Sequence, residues 1–231
     1  MNIRVIIVVL IILLFALASG MLSYSMSGGT SLNKAYSNGN IKVVQKTAAG
    51  AIPHEVSIMN NGNSAVKVKK GDVLASTVSQ NLVIAEDKQI SANSNETVKA
   101  YCLYPSPRAV VNSKLLPVND TNNAINRVIS NSNPSDPQSA MKAQLQIWVI
   151  TSEGNLNIYT GEPVSVVENQ NITWRQFRQN VTSAKNDVMT LFNVTEDQIK
   201  NLNQTKLNSG QTQSWIDSTI NWIKGTLGIG Q

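Results

Sequence analysis

The chain contains one thiol and one imidazole: Cys102, in the stretch YCLYPSPRAV, and His54, directly after Pro53. A thiolate can attack a carbonyl or bind a metal, and a neighbouring imidazole can take its proton. A Cys–His nucleophile requires the two side chains to meet, and nothing in their sequence positions brings them together. His54, at the start of a strand-like segment, reads as structural or exposed. One Cys and one His do not make a zinc site of the usual spacing. The only adjacent acids are Glu86-Asp87 and Glu196-Asp197. The first pair reads as a turn, and the second as the first turn of a helix, where acids suit the macrodipole. No Gly-rich phosphate loop, GxSxG elbow or calcium loop occurs. The expectation is no catalytic residue, no cofactor, no metal and no enzyme.

The compartment sets what the thiol can meet. Arg4 is followed by VIIVVLIILLFALASGML, 18 residues without a charge, and the next charged residue is Lys34. Arg4, the apolar run and the small-residue triplet Ala16-Leu17-Ala18 fit a cleavable signal peptide. Continued to Tyr24, the run also reaches the roughly 20 residues that span a bilayer. Arg4 and the α-amine then predict a cytoplasmic N-terminus. Both readings place the remaining chain outside the cytoplasm, either secreted or held on the cell membrane through residues 5–24. In length the run resembles the N-terminal helix of type IV pilins. It has neither their Gly or Ala processing site after Arg4 nor their early Glu.

The composition agrees with an extracellular domain: 42% of residues are hydrophobic and only 14% are charged. The formal charge of +5 is spread along the chain, and its densest patch, Lys67, Lys69 and Lys70, has no aromatics between the lysines. A stacking platform for single-stranded nucleic acid needs them, so nucleic acid is not expected as a partner.

Four segments must then position Cys102. Residues 1–24 are the signal peptide or anchor. Residues 25–40, Ser/Gly/Asn-rich, read as a flexible stalk. Residues 41–168 read as a β-sandwich domain, with strands in IKVVQKT, DVLASTV, NLVIAED, ETVKAYCLY and NLNIYT. EVSIMNNGNSAVKVKKGD reads as a hairpin, with valines and lysines alternating on opposite faces. Within this domain Ser135-Asp136-Pro137 caps one helix, in which Met141, Leu145 and Trp148 share a face. Residues 169–231 read as two or three helices. Trp174, Phe177, Val181, Ala184, Val188 and Leu191 recur every three or four residues after a Thr173/Gln176 capping box. Thr195 and Gln198 form a second box, and an amphipathic helix follows from about residue 212 to 227. The predicted class is mostly β with α: an Ig-like antiparallel sandwich with one embedded helix and a helical C-terminal region.

Six N-x-S/T sequons, at Asn95, Asn119, Asn171, Asn180, Asn193 and Asn203, permit glycosylation. Two short stretches carry a more specific signal. Tyr101-Cys102 before Leu103 and two prolines, together with Ala143-Gln144-Leu145-Gln146-Ile147-Trp148 on a helix, resembles the paired motifs of Gram-positive thioester-domain adhesins. Ala143 stands where that family has Thr, and Gln146 where it has Ala. The resemblance implies that Cys102 supplies a thiol and Gln144 an acyl group, that they join with loss of ammonia, and that Trp148 packs behind them. A surface amine could then attack the thioester and attach covalently. The functional expectation is a surface-displayed binding or structural protein, serving adhesion or the assembly of an envelope, appendage or virion. Its partners would be proteins or glycans on a cell surface, or further copies of itself. A covalent thioester adhesin, a pilin-like filament subunit and an extracellular enzyme without a recognisable motif are the alternatives. Without an acyl partner, Cys102 is either a small buried hydrophobe or an intermolecular disulfide.

Overall fold

The computed structural model describes residues 29–119 and 122–203. The apolar run 5–24 and the amphipathic segment 212–227 lie outside the described residues. Among the described residues no helix is long and apolar enough to cross a membrane.

Strand β2 (Ile41–Gln45) pairs with β3 (His54–Asn60), and β3 with β8 (Ser94–Cys102). Next come β6 (Leu82–Ile84), β5 (Val73–Ala75) and β9 (Leu116–Val118), completing a six-stranded antiparallel sheet ordered β2-β3-β8-β6-β5-β9. A second, three-stranded sheet sets β4 (Val66–Val68) between β1 (Thr30–Ser31), which is parallel to it, and β7 (Lys88–Ile90), which is antiparallel. The two sheets share a core: Val66, Val68 and Ile90 of the small sheet cluster with Val43, Val56, Ile58 and Val98 of the large one. The period of two accounts for it, since Ile41, Val43 and Gln45 of β2 and His54, Val56, Ile58 and Asn60 of β3 all turn inward. With its helices the fold is mixed α/β, and the two-sheet arrangement is a loose sandwich.

Several elements differ from the sequence reading. The segment EVSIMNNGNSAVKVKKGD forms no hairpin. Its two halves, β3 and β4, belong to different sheets, because the valines of both halves turn into the same core. NLNIYT is not a strand; only Ile158 of it is buried. Within the stretch read as a stalk lies β1, followed by helix α1 (Leu32–Ser37), with Leu32 and Ala35 one helical turn apart in the core. A Ser/Gly/Asn-rich composition conceals two such anchors.

Three helices, rather than one, lie within residues 41–168. Asn122 caps α2 (Asn123–Ser130), accepting from the amides of Ala124 and Ile125. Asp136 caps α3 (Pro137–Thr151) through the Ser139 amide, with Pro137 in the first turn as expected. Helix α4 (Glu162–Asn169) begins at Gly161, whose φ is 66°. Helix α5 (Trp174–Phe192) carries the expected capping box and buries Phe177, Ala184 and Val188 against α3. The Thr195/Gln198 box opens a 3-10 helix, Glu196–Leu202. Residues Ala143–Ile150 of α3 are buried all round, the pattern of a helix at the centre of a domain.

Candidate functional site

The register of β3 and β8 decides which polar groups meet. His54 lies opposite Ala100, so Cys102, two residues further along β8, projects from the same face as His54. Beyond His54 comes Pro53, and β3 ends. On that edge the backbone of Cys102 has lost its strand partner, since β8 bonds to the β6 side through odd residues such as Leu103, whose amide donates to Asn81 O at 2.9 Å. Gln144 of α3 takes the missing place. Its Oε1 accepts the Cys102 N–H at 2.8 Å, and its Nε2 donates to the Cys102 carbonyl, also at 2.8 Å. Both residues are 0% exposed. A side-chain amide thus completes the sheet ladder where no water can reach.

Two further ionisable groups converge here. Ligand atoms of His54, Cys102 and Glu162 all lie within 4.8 Å of one another, and all three residues are buried. None hydrogen-bonds another. Glu162, the first residue of α4, turns inward and is held by two backbone amides: Gly50 N–H donates to Oε2 at 2.7 Å and Ala109 N–H to Oε1. No Lys or Arg among the described residues forms an ion pair with it. Burial raises its carboxyl pKa, against the lowering effect of those amides and of Arg108. Burial also pushes the Cys102 thiol well up, with the Glu162 charge adding to it, so the thiol rests protonated.

His54 shows which nitrogen it presents. Gln45 Nε2 donates to Thr47 O at 3.2 Å and lies 3.1 Å from His54 Nδ1, while Thr47 Oγ1 is 2.9 Å from the same nitrogen. Reversing the Gln45 amide would set its oxygen against the Thr47 carbonyl. Nδ1 therefore accepts, and Nε2 carries the proton. Burial depresses the imidazole pKa from 6.5 to about 4, which keeps it neutral. A zinc ion could accept the spacing of this triad. Its three donors would be one sulfur, one ring nitrogen and one carboxylate oxygen, with the thiol giving up its proton on binding.

The depressed imidazole pKa has a consequence for stability. The unfolded chain takes up the His54 proton as pH falls through 6.5, and the folded chain resists until about 4. His54 therefore contributes stability that is complete above pH 6.5 and is lost between pH 6.5 and 4, with a limiting slope of about 1.4 kcal/mol per pH unit. Glu162, whose pKa is raised, works in the opposite sense: its contribution is lost as pH rises through its folded pKa. The expected result is a urea midpoint that falls from pH 6.5 to 4 in the wild type and less steeply in His54→Gln. Equal slopes would show that His54 is not held neutral.

The cluster lies beneath three connected loops. Val110 N–H donates to Ser79 Oγ at 2.8 Å, Gln80 Nε2 donates to Pro107 O, and Arg108 Nε donates to Gly161 O at 3.2 Å. Glu162 N–H donates to Pro105 O at 2.8 Å. Val78, Tyr104, Val110, Val111 and Tyr159 are exposed on these same loops.

Of the sequence-derived site residues, Cys102 and Gln144 are brought into direct contact. Leu145 and Trp148 share the core cluster of Cys102. Of the sequon asparagines, Asn95, Asn119, Asn171, Asn180 and Asn193 are exposed and Asn203 is half-buried. His54 and Glu162 were not among the sequence-derived site residues, and they join the cluster only through tertiary contacts. A faint signal was there: His54 stands in phase with Val56 and Ile58, so the alternation already pointed it inward. Glu162 carries no such mark. No protein-family model, curated protein or solved structure matches the chain.

Proposed function

We propose that this chain is an exported surface protein that attaches covalently to its target through a thioester between Cys102 and Gln144. The observation that carries this reading is the reciprocal pair of hydrogen bonds between the Gln144 amide and the Cys102 backbone, both residues fully buried. Two residues 42 positions apart, picked out by a motif resemblance, meet with the Gln144 carboxamide hydrogen-bonded to the Cys102 backbone.

In the bond-forming step the Cys102 sulfur attacks the Gln144 carboxamide carbon. The C–S bond forms, the C–N bond breaks, and the thiol proton leaves with ammonia. The Cys102 N–H, already on Oε1, supports the negative charge that develops there. Dry surroundings protect the product from hydrolysis. A target amine then attacks the acyl carbon, the thiol is regenerated, and an amide joins target and adhesin. Since both residues are buried, the loop between Leu103 and Ser113 must move to admit that amine. The apolar side chains on the three loops provide a contact face beside the opening. In this reading the two-sheet region is an Ig-like display scaffold, and residues 5–24 anchor it or direct its export.

The test is the intact mass of the purified full chain, made in a host that does not glycosylate, as wild type and as Cys102→Ala. The expected wild type is lighter than its sequence by one ammonia and gains one methylamine when treated with that amine; Cys102→Ala shows neither change. A wild type at its full sequence mass with a free thiol would overturn the thioester. The Cys102–Gln144 pair would then serve as a clamp in a non-covalent binding or structural protein.

A further inference from the structure

The unexplained feature of the site is Glu162. A carboxylate buried at the foot of α4, with no ion pair among the described residues and only the charge of Arg108 nearby, is an expensive group to keep. It is nonetheless aimed deliberately. Gly50 N–H and Ala109 N–H, from two separate loops, hold its two oxygens, and one of these lies within 4.8 Å of the Cys102 sulfur and of a His54 ring nitrogen. The Gln45 and Thr47 contacts both fall on Nδ1 of His54, so Nε2–H is the nitrogen not engaged by them, in a ring whose ligand atom lies within 4.8 Å of the sulfur and of the carboxylate. A proton acceptor and a proton donor thus stand together beside the one thiol in the chain.

We propose that Glu162 and His54 handle the proton in making the Cys102–Gln144 bond, Glu162 accepting it from the thiol and His54 Nε2–H steadying the sulfur. This inference rests on the thioester reading. The proton passes from Sγ to the Glu162 carboxylate as sulfur adds to the acyl carbon. It passes from the Glu162 carboxyl to Gln144 Nε2 as the C–N bond breaks, and ammonia departs. Thiol and amide become thioester and ammonia, with no oxidant or reductant involved, and Glu162 ends as it began. Without an acceptor, a thiol whose ionisation is so disfavoured would attack slowly, and amide nitrogen leaves poorly unless protonated. When a target amine later opens the thioester, the same carboxylate takes the amine's proton and returns it to the departing sulfur.

The titratable groups facing Glu162 are Cys102 and His54 from the sheet and Arg108 from the roofing loop. Burial holds His54 neutral down to about pH 4 and holds the Cys102 thiol protonated, so on acidification Glu162, whose pKa burial raises, gains its proton before His54 does. The rate of thioester formation should therefore fall as pH drops through the raised Glu162 pKa.

The experiment follows the intact mass of the full chain with time after cell-free synthesis in detergent, comparing wild type, Glu162→Gln and His54→Gln. Near-UV circular dichroism checks that each variant is folded. The expected result is ammonia loss in the wild type and a rate lower by on the order of a hundredfold or more in Glu162→Gln. A smaller slowing is expected in His54→Gln. The wild-type rate should decline on acidification, and the folded Glu162→Gln rate should not. A folded Glu162→Gln that loses ammonia as fast as the wild type would overturn the inference and leave the thioester standing. If that variant does not fold, a wild-type rate indifferent to pH below neutral would overturn it instead. A wild type that never loses ammonia would remove the thioester reading, and this inference with it.

Discussion

In a Cys102→Ala background, where no thioester forms and the Gln144 amide stays intact, replacing Gln144 by Ala should lower the unfolding free energy by about 3–6 kcal/mol. The substitution strips two partners at once from the Cys102 backbone, whose N–H and C=O each bond the Gln144 amide at 2.8 Å in a fully buried setting. An unsatisfied buried group costs about 1–3 kcal/mol, and the vacated amide adds a cavity term. Urea unfolding followed by far-UV circular dichroism measures the loss. A loss below about 1 kcal/mol would mean that β8 finds other partners and that the clamp is dispensable.

Gln144→Glu separates the two halves of the clamp. The carboxylate still accepts the Cys102 N–H but cannot donate to its carbonyl, and it adds a second buried negative charge in the cluster of Glu162. Its destabilisation should be large at neutral pH and relieved by acid, because a protonated carboxyl restores the donor. Gln144→Glu is also the chain that hydrolysis of a thioester would leave behind. A protein of this type that loses its thioester to water should therefore become less stable as well as unreactive.

Gly50→Ala should cost about 2–5 kcal/mol. Gly50 adopts φ +84°, and a Cβ added there would lie 2.3 Å from Ser165 O and 2.5 Å from Ser165 C. Both are backbone atoms of α4, so no side chain can swing aside. The left-handed conformation alone costs about 1–2 kcal/mol for an L-residue, and overpacking typically adds about 1–3. The loop cannot retreat cheaply. Asn169 Nδ2 donates to Ala49 O at 2.6 Å, Gln170 Nε2 donates to Gly50 O at 3.2 Å, and Gly50 N–H holds Glu162. Gly39→Ala provides the control: φ is +75°, but no atom lies within 4 Å of its added Cβ. Thermal unfolding of the two variants should show a clearly larger loss at Gly50. Equal losses would attribute the effect to backbone conformation alone and remove the argument from close approach.

How much of this was legible beforehand follows the range of the interactions. Helix α3 starts at Pro137 behind Asp136, and α5 at Trp174 behind the Thr173/Gln176 box, as their sequences indicate. Caps and i, i+3, i+4 stripes lie within one or two turns of chain, and both ends of each interaction are visible in a short window. The alternation of β3, with Val56 and Ile58 inward, is equally local. The partner of β3 is not. Val66–Val68 has the alternation of a hairpin return strand, yet it pairs with Thr30–Ser31 and Lys88–Ile90 in the other sheet. Alternation states which face is buried and says nothing about which strand lies alongside.

By itself, the sequence determined the apolar N-terminal run, the principal helices with their caps, the inward faces of the longer strands, and the Cys102 and Gln144 motifs. Only the tertiary structure decided that these two residues touch and that His54 and Glu162 stand beside them. That outcome depends on the one-residue precision of the β3–β8 register, on the crossing of α3 over the end of β8, and on the docking of Gly50 against α4. Each is a contact between segments far apart in the chain. Its geometry comes from how the whole core packs, and no window of sequence contains both of its ends.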